Sequence, residues 1–238
     1  PDQTTSDMCV EAAKVAMEDA GVKPEDIEMV IIGTTSPDLV FPNAATLVQH
    51  RLGIPACPCI ATEEACTSFI YGLSIADKFI KSGEVKRVLV IGVECITKLV
   101  DWTDRNTCVL FGDGAGAVVL EPSDRECGLL GAHLGCDGRH AQILEVPNSG
   151  TAGDRFIEDY NVFKINFDGR EIFKRAVKGM AGEVRKVLGD LELGTEDIDV
   201  IIPHQANLRI IESLAKYLHV DMSKVEVNID KYGNTSAA

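Results

Sequence analysis

Apolar residues along this chain follow two alternating rhythms. From Cys9 to Ala20 they recur at Val10, Ala13, Val15 and Met17, a helical spacing that Gly21 stops. Met29 to Ile32 is a short continuous apolar run, expected as a strand. Helical patterns return from Ala44 to Leu52, ended by Gly53, and from Ser68 to Lys81, ended by Ser82-Gly83. Val88 to Val93 is again continuously apolar. Apolar runs without alternation mark strands covered on both faces. The pattern therefore predicts an α/β fold with a mostly parallel sheet between helices.

The pattern also repeats. Glu25-Asp26-Ile27-Glu28-Met29-Val30-Ile31-Ile32 reappears as Glu196-Asp197-Ile198-Asp199-Val200-Ile201-Ile202. Each copy follows an amphipathic helix, Val10 to Ala20 in one case and Phe173 to Leu188 in the other. Each leads through a loop into a helix with a similar ending, Arg51-Leu52-Gly53-Ile54 against Tyr217-Leu218-His219-Val220. A strand is expected next, Ala56 to Ile60 in the first copy and Val225 to Ile229 in the second. The offset of about 170 residues is too long for a solenoid. Two similar halves about a pseudo-two-fold axis, residues 1–122 and 123–238, account for it. Cys66 and Asn234 then hold equivalent places, each expected just before a helix and near the axis. His204 follows the first repeat strand of the second half, at the carboxyl end of the sheet, where ligands of open α/β folds bind.

Composition narrows the function. The chain has 238 residues, 45% hydrophobic and 25% charged, an ordinary globular balance. A net charge of −14 argues against nucleic-acid binding, which needs a basic face. No apolar run approaches the roughly 20 residues of a membrane span. Eight cysteines with no C-x-x-C pair exclude a common zinc pattern and fit a reduced, cytoplasmic setting. No basic-then-apolar leader opens the chain, and its start at Pro1 suggests a fragment or a processed protein.

Several residues carry candidate chemistry. Glu64-Ala65-Cys66-Thr67-Ser68 puts a thiol at a strand-to-helix turn, where the positive end of a helix favours a thiolate able to take an acyl group from a thioester. The plain alternative is one more buried thiol. His204, in Pro203-His204-Gln205-Ala206-Asn207, is the one histidine of five expected at a strand's carboxyl end. Asn234, following Gly233, reads on its own as a cap or turn residue. Phe111-Gly112-Asp113-Gly114-Ala115-Gly116-Ala117 lacks the G-x-G-x-x-G spacing and is expected as a tight glycine hairpin within a sheet, not a phosphate loop. Lys174, Arg175, Lys178, Arg185 and Lys186 recur along one helix, with Arg209 and Lys216 on the next. They form either a solvated face or a dock for an acidic partner.

Taken together, the Ala65-Cys66 turn, Thr103-Asp104-Arg105, the 111–117 glycine run, His204-Gln205-Ala206-Asn207-Leu208-Arg209 and Gly233-Asn234-Thr235-Ser236-Ala237-Ala238 resemble β-ketoacyl-acyl-carrier-protein synthase III, a condensing enzyme of the thiolase superfamily. The resemblance covers nearly the whole chain. It implies a thiolase-like, duplicated αβαβα layered fold, with the first elements of one half and the last of the other missing. It implies decarboxylative condensation of an acyl-CoA primer, acetyl-CoA by expectation, with malonyl-acyl-carrier protein to initiate fatty acid synthesis, in a homodimer without metal or other cofactor. Cys66 would be acylated. His204 and Asn234 would hold the malonyl thioester carbonyl as its enolate forms. Arg209 would touch the carrier protein and Arg105 the coenzyme A nucleotide. Phe41 would reach into the partner's acyl pocket, and primer length would follow from packing around Phe41, Cys108 and Phe173. Glu63 and Glu64 depart from the smaller residues usual before the nucleophile.

Three other readings fit parts of the pattern. One is a related condensing enzyme of secondary metabolism or a 3-hydroxy-3-methylglutaryl-CoA-type synthase. Another is a cysteine hydrolase, since Cys66, His204 and Asn234 run in the papain-like order, although the C-G-[SA]-C-[WY] surroundings are missing. The third is a non-catalytic scaffold.

Overall fold

A computed structural model describes residues 2–125, 127–147, 149–151 and 164–238. The chain forms two compact units. The first gathers Pro1–Cys95, Gly112–Leu130 and Thr235–Ala238, and the second Ile96–Phe111 and Gly131–Asn234.

The first unit is built on a four-stranded sheet. Its strands are β1 (Met29–Gly33), β2 (Cys59–Thr62), β3 (Val88–Glu94) and β4 (Gly114–Leu120), in the order β2-β1-β3-β4. β1 pairs in parallel with both neighbours, Ile31 lying opposite Ile60 and Val90, whereas β4 runs antiparallel to β3. Helices α1 (Thr5–Ala20), α2 (Ala44–Arg51) and α3 (Ser68–Ser82) cover it. Side chains alternate across a strand, so β1 feeds two cores. Val30 and Ile32 join Leu89 and Ile91 under Cys9, Ala13 and Met17 of α1 and Ala45 and Val48 of α2. Met29 and Ile31 join Val88 and Val90 under Ala76 of α3. Both faces being covered is why β1 and β3 read as unbroken apolar runs.

Local chemistry sets the helix ends. Thr4 and Asp7 form a reciprocal capping box at the start of α1, the Asp7 carboxylate accepting from Thr4 N–H at 2.7 Å. Gly21 closes α1 in the left-handed conformation, φ 64°.

In the second unit, α4 (Gly169–Asp190) and α5 (Leu208–Leu218) pack through Ala181, Leu214 and Leu218. On the same broad face of α5, Ile211 and Ala215 pack against Val225. A two-stranded ribbon, β5 (Leu144–Glu145) with β6 (Asn166–Phe167), and a short helix α6 (Ile229–Tyr232) complete it. Phe167 meets Phe111 edge-to-face, centroids 5.9 Å apart.

The repeat survives in backbone detail. Gly21 and Glu192 both follow a helix in the left-handed conformation, φ 64° and 57°. The 3-10 turns Pro24–Asp26 and Thr195–Asp197 come next, each held by an aspartate on a backbone N–H, Asp26 on Lys23 and Asp197 on Gly194. Val30 N–H then donates to the Pro58 carbonyl at 3.0 Å, and Ile201 N–H to the Lys224 carbonyl at 2.8 Å. The parallel pairs Val30 with Cys59 and Ile201 with Val225 follow the same register.

Some expected elements differ. The glycines of 111–117 form no hairpin: Gly114 and Gly116 lie within β4, where Gly116 pairs with Gly92. They read as a turn because glycine usually punctuates strands. The strand expected from Ala56 starts at Cys59, after Pro58, whose missing N–H cannot enter the ladder. The second-half strands shrink to the single Ile201–Val225 bridge, and 229–232 is helical. Asn234 consequently follows α6. Val15 is off the buried face of α1, 65% exposed.

Candidate active site

Cys66 sits in a 3-10 turn, Ala65–Thr67, between the end of β2 and the start of α3. Ala65 adopts φ 49°, a left-handed conformation that costs a non-glycine residue energy and turns the chain sharply ahead of the thiol. Thr67 N–H and Oγ1 both donate to the Glu64 carbonyl, at 3.1 and 2.8 Å, and close the turn. α3 has no side-chain cap at Thr67, and Cys66 precedes the positive end of that helix, which favours negative charge. Glu63 and Glu64 are exposed.

The glycines at the strand ends let α3 approach. A Cβ on Gly33 would lie 2.5 Å from Ser68 Cβ. A Cβ on Gly92 would lie 3.3 Å from Phe69 Cβ and would run into the carbonyl of Ala237. The start of α3 and the Thr235–Ala238 segment thus both pack against Gly92.

Cys9, Cys57, Cys59 and Cys95 are poor candidates for nucleophile. None of the eight is in a disulfide. Burial pushes the Cys9 thiol far up, raises Cys57, and takes Cys59 to about 11. Cys95 is buried, whereas Cys127 and Cys136 are exposed.

In the second unit, half-buried His204 follows buried Pro203 after the Ile201 bridge. Gln205, its neighbour, ties this loop to the adjoining strand segment: it donates to the Pro203 and Glu226 carbonyls at 2.9 and 3.1 Å and accepts from Asn228 N–H at 3.0 Å. Asn207 caps α5 by accepting from Arg209 N–H at 2.9 Å, which leaves Arg209 exposed on the first turn. Asn234 is 5% exposed, and its N–H donates to the Leu110 carbonyl at 2.8 Å in a parallel bridge beside Phe111. Phe173 is half-buried on α4. Arg105 is exposed in a loop folded around Asp104, whose carboxylate takes hydrogen bonds from Asn106 N–H and Thr107 Oγ1. In the first unit, Phe41 is 84% exposed next to Val40 at 94%. Of the basic set, Lys174 and Arg175 pair with Glu171, and Arg185 donates to the Tyr217 carbonyl while lying over its ring.

Sequence reasoning missed Glu94. It is fully buried at the carboxyl end of β3, yet it reads as the polar residue that ends an apolar strand. Burial raises its pKa, opposed by hydrogen bonds from Ser36, Thr35 and Ser236. Among the described residues no cluster of His, Cys, Asp or Glu could hold a metal ion.

Comparison with known proteins gives a consistent result. Residues 61–138 match the family model for 3-oxoacyl-[acyl-carrier-protein] synthase III, and residues 188–238 match the model for its C-terminal part. The chain is 49% identical over 238 residues to the beta-ketoacyl-[acyl-carrier-protein] synthase III of Xanthomonas campestris pv. campestris strain 8004, covering all of this chain and 72% of that one. It is 48% identical over 234 residues to synthase III 2 of Vibrio vulnificus strain YJ016, covering 98% of this chain and 65% of that one. The crystal structure of the synthase III from Aquifex aeolicus VF5 superposes with a TM-score of 0.93 at 42% identity, covering all of this chain and 73% of that one. The chain thus spans about two thirds of the length of these curated relatives.

Proposed function

Because the chain belongs to the 3-oxoacyl-[acyl-carrier-protein] synthase III family, we propose that it condenses an acyl-CoA primer, acetyl-CoA in the first instance, with malonyl-acyl-carrier protein to give a 3-oxoacyl-carrier protein. The observation that carries this reading is the placement of Cys66 in the strained turn that opens α3.

In the first half-reaction the Cys66 sulfur attacks the acyl carbonyl and coenzyme A leaves as its thiolate. In the second, the malonyl carboxylate leaves as carbon dioxide. Its bonding electrons pass into the enolate, and the α-carbon attacks the acyl-Cys66 carbonyl and expels the sulfur. His204 and Asn234 donate to the malonyl thioester oxygen as charge gathers there. One such donor is worth roughly 10²–10³ in rate. An amide offers only a donor of this kind, not a base, which suits Asn234 to the enolate step.

The 1–122 and 123–238 halves correspond to the duplicated core of the family, and the matching registers at Val30 and Ile201 support that division. Arg209, exposed on the first turn of α5, docks the acidic carrier protein, and Arg105 meets the coenzyme A nucleotide. The exposed Leu39-Val40-Phe41 stretch suits the homodimer contact through which Phe41 shapes the partner's acyl pocket, with Phe173 on this chain's side. A cytoplasmic location goes with this chemistry, and no helix among the described residues is long and apolar enough to cross a membrane. Intact-protein mass after incubation with acetyl-CoA tests the reading. One acetyl group should appear on the native protein and none on Cys66→Ser; an acetyl group retained by Cys66→Ser removes Cys66 from its role.

A further inference from the structure

Glu94 is a fully buried carboxylate to which the proposed reaction assigns no task. Its Oε1 accepts from Thr35 N–H at 3.0 Å, Thr35 Oγ1 at 3.1 Å and Ser236 Oγ at 3.3 Å. Its Oε2 accepts from Ser36 Oγ at 2.5 Å and Thr34 Oγ1 at 3.4 Å. Among the described residues no Lys, Arg or His is paired with it. A buried carboxylate without a cation persists only where hydrogen bonds replace water, and here five do so.

The donors are fixed by what else they hold. Ser36 Oγ already accepts from Cys95 N–H at 2.8 Å, and Thr34 Oγ1 from Ser36 N–H at 3.1 Å. Each hydroxyl therefore turns its own proton toward Oε2. An amide nitrogen in that place would face two hydroxyl protons. The site is thus built for a carboxylate.

The carboxylate joins two segments to the end of β3: the Thr34–Ser36 loop after β1, and Ser236, two residues beyond Asn234. Ser236 is held at φ 54°, a strained conformation for a non-glycine residue. Gly92, two residues before Glu94 and on the same face of β3, admits the Ala237 carbonyl. The strand therefore anchors this segment at adjacent points, one by close approach and one by hydrogen bond.

We propose that Glu94 is the positioning residue for Asn234, holding the Ser236 side of its loop so that the Asn234 amide stays in place for the decarboxylation half-reaction. The inference rests on the reading of Asn234 as a donor to the malonyl carbonyl. The reading assigns Cys66 to acyl loading and Asn234 to decarboxylation, so the two half-reactions are measured separately.

The test compares native protein, Glu94→Gln, Ser236→Ala, the double variant and Asn234→Ala. Acetyl loading is read by mass, and carbon dioxide release from malonyl-carrier protein by the pre-acetylated enzyme. Glu94→Gln should lower carbon dioxide release about tenfold or more, since a misplacement near 1 Å costs about 10², with loading within about twofold of native. Ser236→Ala should lower it about threefold, and should add nothing in the Glu94→Gln background because the two act through one bond. If Glu94→Gln fails to fold, Ser236→Ala decides alone. Equal loss of loading and release, or no loss of release in either variant while Asn234→Ala is defective, overturns the inference. Normal release by Asn234→Ala overturns the reading beneath it, and the inference with it.

Discussion

Gly92 in β3 and the carbonyl of Ala237 occupy adjoining space, and a methyl group on Gly92 would run into that oxygen. The backbone of the Thr235–Ala238 segment can lie against the sheet only because residue 92 has no side chain. Gly92→Ala should push the 235–238 segment off β3, with a cost on the order of 1–3 kcal/mol from overpacking. Thermal unfolding of the variant checks this. Stability equal to native would show that the segment moves aside without loss.

Ser68 packs on Gly33 with its hydroxyl buried and without a hydrogen-bond partner. Its size, not its polarity, suits the position. Ser68→Ala should leave stability unchanged or raise it by about 1 kcal/mol, because no bond is lost and a buried polar group is removed. A measured loss beyond that would reveal a partner for the hydroxyl.

Asp7 is held near the start of α1, its pKa lowered to about 2 by the Thr4 N–H, with the Arg51 guanidinium next. A carboxyl lowered on folding contributes stability that is present above its unfolded pKa and disappears as pH falls through the folded value. Asp7→Asn should therefore melt below native protein at neutral pH, and the gap should close as pH falls from about 4 toward about 2. A gap independent of pH would assign the effect to packing.

Arg209 tests the proposed dock. Arg209→Glu should raise the KM for malonyl-carrier protein about tenfold while acetyl loading of Cys66 stays near native. The effect should shrink at high salt, since exposed charges are screened within about 10 Å at 0.1 M. Parallel loss of loading would point to a damaged fold.

The first half of the fold was legible from residues such as Val30 and Ile31, whose unbroken apolar run follows from burial on both faces of β1. The second was legible only by its likeness to the first, since Val200 and Ile202 are 59% and 79% exposed and form no ladder. Gly114 and Gly116 misled because a strand packed closely against another backbone needs glycine as much as a turn does. Cys66 was legible from its place before the α3 pattern. The strain at Ala65 was not, because an alanine gives no sign of a left-handed backbone. Glu94 escaped because its five donors come from two stretches of chain, Thr34–Ser36 and Ser236, which sequence spacing does not connect to it.

In the proposed reaction Cys66 serves acyl loading, and His204 and Asn234 serve decarboxylation. Single-turnover analysis of His204→Ala and Asn234→Ala separates the two roles, with acetyl loading followed by mass and carbon dioxide release followed on the pre-acetylated enzyme. Loading should stay near native in both variants while carbon dioxide release falls roughly 10²-fold or more, as for a lost donor to a forming oxyanion. Abolished loading together with normal carbon dioxide release from acetylated enzyme would contradict these roles.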